Sequence, residues 1–282
     1  MKKTLFYLGF ILAMLSVNAQ QTAKDTTRLW TKKGHMTLLF NQSLFNNKWL
    51  AGGTSSFAGN LGLNYDFNYK KGAVIWDNKC IVAYGLTKIK DADRASKTDD
   101  RLELNSLWGK KASGEWYYSI FFNFKTQMDS GFDVNQNKIS HYFSPAYFQF
   151  GPGILWKKND NLSVNFAPTT AKLIVVDNHF TELGPSFGVL QGDSSRFELG
   201  ASILVYCKLN LITNVSMENR LNLYSNYLQD PQNVDVDYQM NVVMKINRYL
   251  SANIALQTIY DDNAIKAVQV REVFGLGVNY GF

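Results

Sequence analysis

Apolar and polar residues alternate one for one along most of the chain from residue 34 onward. Between Ser56 and Tyr69, one face collects Phe57, Leu61, Leu63, Tyr65, Phe67 and Tyr69. The other face collects Ser56, Ala58, Asn60, Asn64, Asp66 and Asn68. The stretches Glu115 to Gln127, Asp235 to Asn247 and Phe274 to Phe282 repeat the pattern. A period of two predicts strands with one apolar and one polar face. Twelve segments fit: 35–45, 54–69, 73–89, 101–109, 115–127, 145–157, 162–175, 195–208, 214–227, 234–247, 250–261 and 269–282. Pro168 and Lys172 fall on the apolar face of the seventh. A proline inside a strand marks a bulge, and a bulge shifts the parity beyond it.

The connections alternate as well. Those after the second, fourth, sixth, eighth and tenth segments are short, and the others are mostly longer. Short turns at one end and longer loops at the other are the wiring of an outer-membrane barrel. The expected fold is therefore all-β: a single transmembrane antiparallel up-and-down barrel of about 12 strands. An even strand number puts both termini on the short-turn, periplasmic side. Trp76, Trp108, Trp116 and Trp156 all fall on the apolar face near short turns, as expected of a membrane-interface girdle. Tyr280 and Phe282 share the apolar face of the last strand and resemble a C-terminal insertion signal. A soluble β-sandwich would need its apolar faces buried against each other. It explains neither the ordered tryptophans nor the alternating loop lengths.

Composition agrees with lipid exposure. The 282 residues are 46% hydrophobic, 14% aromatic and only 18% charged. That excludes a disordered chain, and no apolar run of about 20 residues follows the N-terminus to suggest a helical span. Lys2 and Lys3, the apolar stretch Thr4 to Leu15 and Val17-Asn18-Ala19 form a secretory signal peptide, residues 1–19. Residues 20–33 are a polar periplasmic leader, and residues 34–282 are the barrel. Removing Lys2 and Lys3 lowers the formal charge from +6 to +4, with no basic run of the kind that tracks nucleic acid. Gln20 at the cleavage point leaves no cysteine for lipid attachment. Cys80 and Cys207 lie on lipid-facing sides of distant strands and are read as apolar filler.

The polar face carries both signs. Arg101, Glu103, Lys125, Arg196, Glu198, Glu218, Arg220, Asp235, Asp237, Asp261 and Arg271 are expected to line the lumen. In a barrel of this size long side chains can largely fill the interior, and paired charges there rigidify the wall. Asp235, Asp237, Asp261 and Asp262 form an oxygen-rich group of the type that suits calcium, but no calcium-loop spacing accompanies it. Pairing with Arg271 and Lys245 is the preferred account, so no metal and no cofactor is expected. Gly184-Pro185-Ser186-Phe187-Gly188 has the letters of a nucleophile elbow, yet lies in a loop without the strand–turn–helix context that exposes such a serine. His179 could serve it only if the loop folded back. His35 and His141 have no ligand spacing, and no catalytic residue is expected.

The segments Trp49 to Gly53, Asn64 to Tyr69, Trp76 to Lys79, Asp99 to Asn105, Asn123 to Gln127 and Ser144 to Tyr147 carry a further signal. With Arg220 to Leu228, Pro231 to Val236 and Tyr260 to Asp262, they resemble a family of uncharacterised outer-membrane barrels found widely in Bacteroidetes, a domain of unknown function. The resemblance implies the barrel and its compartment, and brings no activity.

Two functions follow as expectations. The first is a non-enzymatic barrel acting as a structural or accessory subunit of an envelope complex for outer-membrane assembly or secretion. The second is a narrow channel for small solutes, motivated by interior glycines such as Gly62, Gly85, Gly151, Gly153 and Gly200. Expected partners are outer-membrane lipids, the barrel-insertion machinery during biogenesis, and other outer-membrane or periplasmic proteins in a complex, but no nucleic acid.

Overall fold

The computed structural model describes residues 29–46, 48, 53–133 and 135–282. The stretch expected to be a signal peptide, most of the expected leader and Trp49 to Gly52 lie outside them. Among the described residues twelve long strands close into one antiparallel barrel. They are β1 (Trp30–Ser43), β2 (Ser56–Lys71), β3 (Val74–Ile89), β4 (Ser96–Ser113) and β5 (Trp116–Thr126). After a two-stranded hairpin, β6 (Gly131–Phe132) and β7 (Lys138–Ser140), come β8 (Ala146–Asn159), β9 (Leu162–Val175) and β10 (Ser195–Ile212). β11 (Val215–Asn226), β12 (Asp235–Lys245), β13 (Leu250–Asp261) and β14 (Ile265–Gly281) complete the ring. Each strand pairs with its neighbours in sequence, except that β5 pairs with β8 because β6 and β7 form their own small sheet. β1 and β14 close the circle, from His35 opposite Gly281 to Phe40 opposite Leu276. Closure leaves no free edge, so the backbone is satisfied without water, as hydrocarbon requires.

The strands run longer than the alternation alone suggested. β1 starts at Trp30, inside the stretch assigned to the leader, and β4 reaches from Ser96 to Ser113. The hairpin β6–β7 was not anticipated. Strands of 11 to 18 residues exceed the roughly 9–11 needed to cross a bilayer, so several project beyond it.

The faces sort as the alternation demands. Phe57, Leu61, Trp76, Ile120, Phe150, Phe166, Phe274 and Leu276 are exposed on the outer wall. Glu103, Ser119, Gln149, Asn165, Lys172, Glu198, Ser202, Gln239 and Gln257 are buried, polar and inside. A wall that is apolar outside and polar inside inverts the soluble arrangement. The protein is a transmembrane barrel of the outer-membrane type. Both described chain ends lie at the end of the short turns.

The expected bulge is present in β9. Thr170 pairs with Gly200 but Ala167 with Ser202, and Ala171 pairs with Phe150 but Phe166 with Ile154. Both neighbours thus record one extra residue in β9 near Pro168, which has no N–H to give the ladder. Before the bulge Phe166 faces out and Asn165 in; beyond it Leu173 faces out and Lys172 in. The interior glycines differ: Gly62 has free space beside it, with Thr37 3.9 Å from where a side-chain carbon would stand, but Gly151 and Gly153 open none. A side-chain carbon on Gly151 or Gly153 would meet the carbonyl of Thr169 or Phe166 across the ladder, so these glycines permit close strand approach opposite the bulge.

Candidate functional site

The lumen is crossed by side chains from opposite walls. Nearer the short turns, Lys79 of β3 reaches Glu218 of β11 at 3.2 Å, six places away in the ring of twelve. Arg220 also holds Glu218, at 2.8 Å, and Asp66 holds Lys79 at 3.3 Å. At mid-depth, Lys125 of β5 meets Asp237 of β12 at 2.9 Å. Arg101 of β4 donates to Gln239 of β12 at 2.6 Å, again across the full diameter. Gln257 donates to the second oxygen of Asp237 at 2.8 Å, and Asn105 donates to Glu103 at 2.8 Å. Arg101 and Glu103 lie 3.7 Å apart.

Nearer the long loops, Lys172 sits among three carboxylates: Asp235 at 2.9 Å, Glu198 at 3.3 Å and Asp261 at 3.5 Å. Its ammonium lies 4.9 Å from the centre of the buried Tyr224 ring, within reach of a cation–π attraction. Arg196 holds the other side of Glu198 at 2.9 Å. Arg271 of β14 pairs with Asp99 of β4 at 2.7 Å.

Two cavities flank the mid-depth layer, one of about 530 Å³ at the turn end and one of about 690 Å³ at the loop end. Asn123, Lys125, Asn222 and Asp237 line both and form the partition between them. The partition is held by charge-assisted hydrogen bonds, which are stronger than neutral ones.

All eleven charged residues expected in the lumen are found in this network. Their partners differ from expectation. Asp235 and Asp261 pair with Lys172 and Asp237 with Lys125, not with Arg271 and Lys245. Lys245 stands at the far end of β12 from Asp235, about 33 Å along the strand at the usual rise. Arg271 is taken by Asp99. Lys172, Lys79, Asp99 and Gln239 were missed. For Lys172 the signal existed: Pro168 turns it inward. For the others, which wall faces which is a property of the closed ring.

Asp235, Asp261 and Asp262 bring carboxylate oxygens within 4.8 Å of one another, close enough to share a cation. The Lys172 ammonium already neutralises two of the three, and Asp262 accepts from Asn233 at 2.6 Å. Cys80 and Cys207 are both free, on strands five places apart in the ring.

Ser186 and Val189 exchange backbone hydrogen bonds of 3.0 and 2.9 Å around Phe187 and Gly188, whose φ angles are +52° and +81°. That is a tight turn requiring positive φ at both central residues, and it explains Gly188 without a nucleophile. His179 faces the exposed Glu182 at 3.8 Å. The same connection, residues 176–194, lies against the one carrying β6 and β7. His141 Nε2 is 3.0 Å from Asp177, whose backbone N–H donates to Ser144 Oγ at 2.8 Å. Ile174, Val176 and Val189 form a buried cluster with Tyr147, Phe180 and Phe187 packed around it. Pro185, Ser186 and Phe187 line the loop-end cavity, so this ordered cap overhangs the mouth.

On the outer wall, Trp76 stands opposite Trp108, and Trp116 opposite Trp156. Trp30 and Tyr69 join them, with ring centres 5.1 Å apart, and Trp30 lies 5.8 Å from Trp76. The Trp76 indole donates to Ser106 Oγ at 2.8 Å, leaving its ring free toward lipid. Tyr280 pairs with Met36, and Phe282 exchanges backbone hydrogen bonds with Gly34.

A family model described as a protein of unknown function (DUF3078) matches residues 40–132, from the end of β1 through β5 into β6. The segments quoted above from Ser144 onward lie beyond that match. None of the curated proteins matches the chain. Solved barrels are similar at low identity. An outer-membrane channel from Pseudomonas putida F1 shares 9% identity over 92% of this chain and 98% of its own, with a TM-score of 0.40. The outer-membrane channel DcaP of Acinetobacter baumannii shares 10% over 90% and 97%, at 0.34. The translocator domain of the autotransporter NalP from Neisseria meningitidis shares 9% over 99% and 96%, at 0.35. Likenesses this distant carry no shared activity.

Proposed function

We propose that the protein is a non-enzymatic barrel of the bacterial outer membrane, closed at rest, that serves as a structural or accessory subunit of an envelope complex. The observation that carries this reading is the layer of ion pairs and hydrogen bonds between opposite walls. A wide diffusion pore keeps its walls apart, whereas Lys79–Glu218, Arg101–Gln239 and Lys125–Asp237 join them. The ordered loop cap adds support. Leu183 is 98% exposed and Leu190 67%, with Tyr142 and Ile139 also exposed on the same pair of connections. Apolar side chains held out on ordered loops suit contact with other proteins. In this reading Tyr280 and Phe282 form the strand recognised by the insertion machinery, and the lipids of the membrane surround the wall.

The test is affinity purification of the tagged protein from native membranes in mild detergent, with mass spectrometry. Stoichiometric partners are expected, and a solitary barrel would overturn the subunit reading. The narrow-channel reading is favoured by one observation: the two cavities are separated only by the partition at Lys125 and Asp237. Planar-bilayer recording decides between them. The closed barrel gives no steps as wild type, while stable steps from the wild-type protein would establish the channel.

A further inference from the structure

The two cavities differ in charge. The loop-end cavity is balanced, with five cationic and five acidic residues in its lining. The turn-end cavity is lined by eight cationic residues and five acidic ones. Its acids are already engaged. Asp66 faces Lys79, Asp77 and Asp160 both hold Lys157, and Asp237 holds Lys125. Lys33, Lys70, Lys158 and Lys208 line the same cavity, are exposed, and form no direct ion pair among the described residues; Lys208 stands opposite Glu218 in the β10–β11 ladder, but that carboxylate is already held by Arg220 and Lys79. They come from β1, β2, β8 and β10, so they surround the mouth rather than form a run along one strand.

From this asymmetry we infer that the turn-end cavity is a binding site for a small multivalent oxyanion, a solute bearing two or more phosphate or carboxylate groups. Unmatched cations around a cavity with low-dielectric walls focus a positive potential into it. They repel one another, and a bound anion relieves that repulsion. Rings of one sign mark ion sites in membrane pores, whereas paired signs mark structure. The volume, about 530 Å³, is that of a small-ligand pocket. The polar floor is supplied by the partition, where Asn123 and Asn222 offer amide groups. The inference stands whether or not the barrel conducts.

The test is titration calorimetry on the full-length barrel in neutral detergent at low salt, with pyrophosphate in one arm and tricarballylate in the other. Saturable binding in at least one arm is expected, weakening as sodium chloride is added, and the arm identifies the favoured group. The Lys33→Gln/Lys208→Gln variant should bind about tenfold more weakly, from the loss of two charged contacts. Lys138→Gln, at the loop end, should bind as wild type. These lysines are exposed, and a retained heat-modifiable gel band establishes that the variants fold. Absence of saturable binding in both arms, or equal weakening by Lys138→Gln, would overturn the inference.

Discussion

Replacing Lys172 with methionine keeps the volume of the side chain and removes its charge. In the wild type that side chain is 7% exposed and is the shared counter-ion of Asp235, Glu198 and Asp261. Glu198 is 1% exposed and would keep only Arg196. Breaking a buried pair by deleting one partner costs about 3–5 kcal/mol. Asp235 and Asp261 border the loop-end cavity and retain 17% and 15% exposure, so the lower end, about 3 kcal/mol, is the expected loss. With a urea slope of about 3 kcal/mol/M for a chain of this size, the unfolding midpoint should fall by about 1 M. The assay is urea unfolding in lipid vesicles followed by tryptophan fluorescence. The double variant Lys172→Met/Glu198→Gln removes the most buried charge left behind and should recover about 1 kcal/mol or more. A midpoint shift below about 0.3 M for the single variant would refute the argument, because the triad would then be held by water rather than by Lys172.

Deleting Thr169 removes the extra residue of β9 and leaves Phe166 and Lys172 five positions apart, on opposite faces of a regular strand, so Lys172 keeps its place in the lumen; we expect the heat-modifiable barrel band to persist, and its loss would show that the bulge itself is required. The backbone N–H of His179, and after it the His141 ring, hold the Asp177 carboxyl below the ordinary carboxylate range. A lowered carboxyl pKa contributes stability above the ordinary value near 3.9, lost as pH falls through the lowered one. Protection of the amides across 138–144 from exchange, corrected for the intrinsic pH dependence of the rate, should therefore fall as the pH drops below about 4. Asp177→Asn should raise that exchange at neutral pH without altering the barrel strands. Single-tryptophan variants retaining Trp76, Trp108, Trp116 or Trp156 should be quenched more strongly by lipids brominated near the headgroup than near the chain ends. Equal quenching at both depths would place those rings elsewhere.

The alternation of Phe57 to Tyr69 against Ser56 to Asn68 was enough to specify strands, their number and which face meets lipid. Successive side chains on a strand point to opposite sides, so a property of neighbouring residues becomes a property of the whole wall. Placement of the tryptophans near short turns was legible for the same reason, and Pro168 announced the bulge because a missing N–H is a local fact. Which lumen residues touch was not legible. Lys79 and Glu218 are 139 residues apart in the chain, as Lys125 and Asp237 are 112 apart. Their contact depends on strand stagger and on how closely opposite walls approach once the ring closes. The surplus of lysines at the turn end has the same origin. The sequence displays Lys33, Lys70, Lys158 and Lys208 as scattered charges; only closure brings them around one cavity while the nearby acids are taken by Lys79 and Lys157. Face and depth are local and written in the chain, whereas pairing across the lumen is a long-range outcome of barrel geometry.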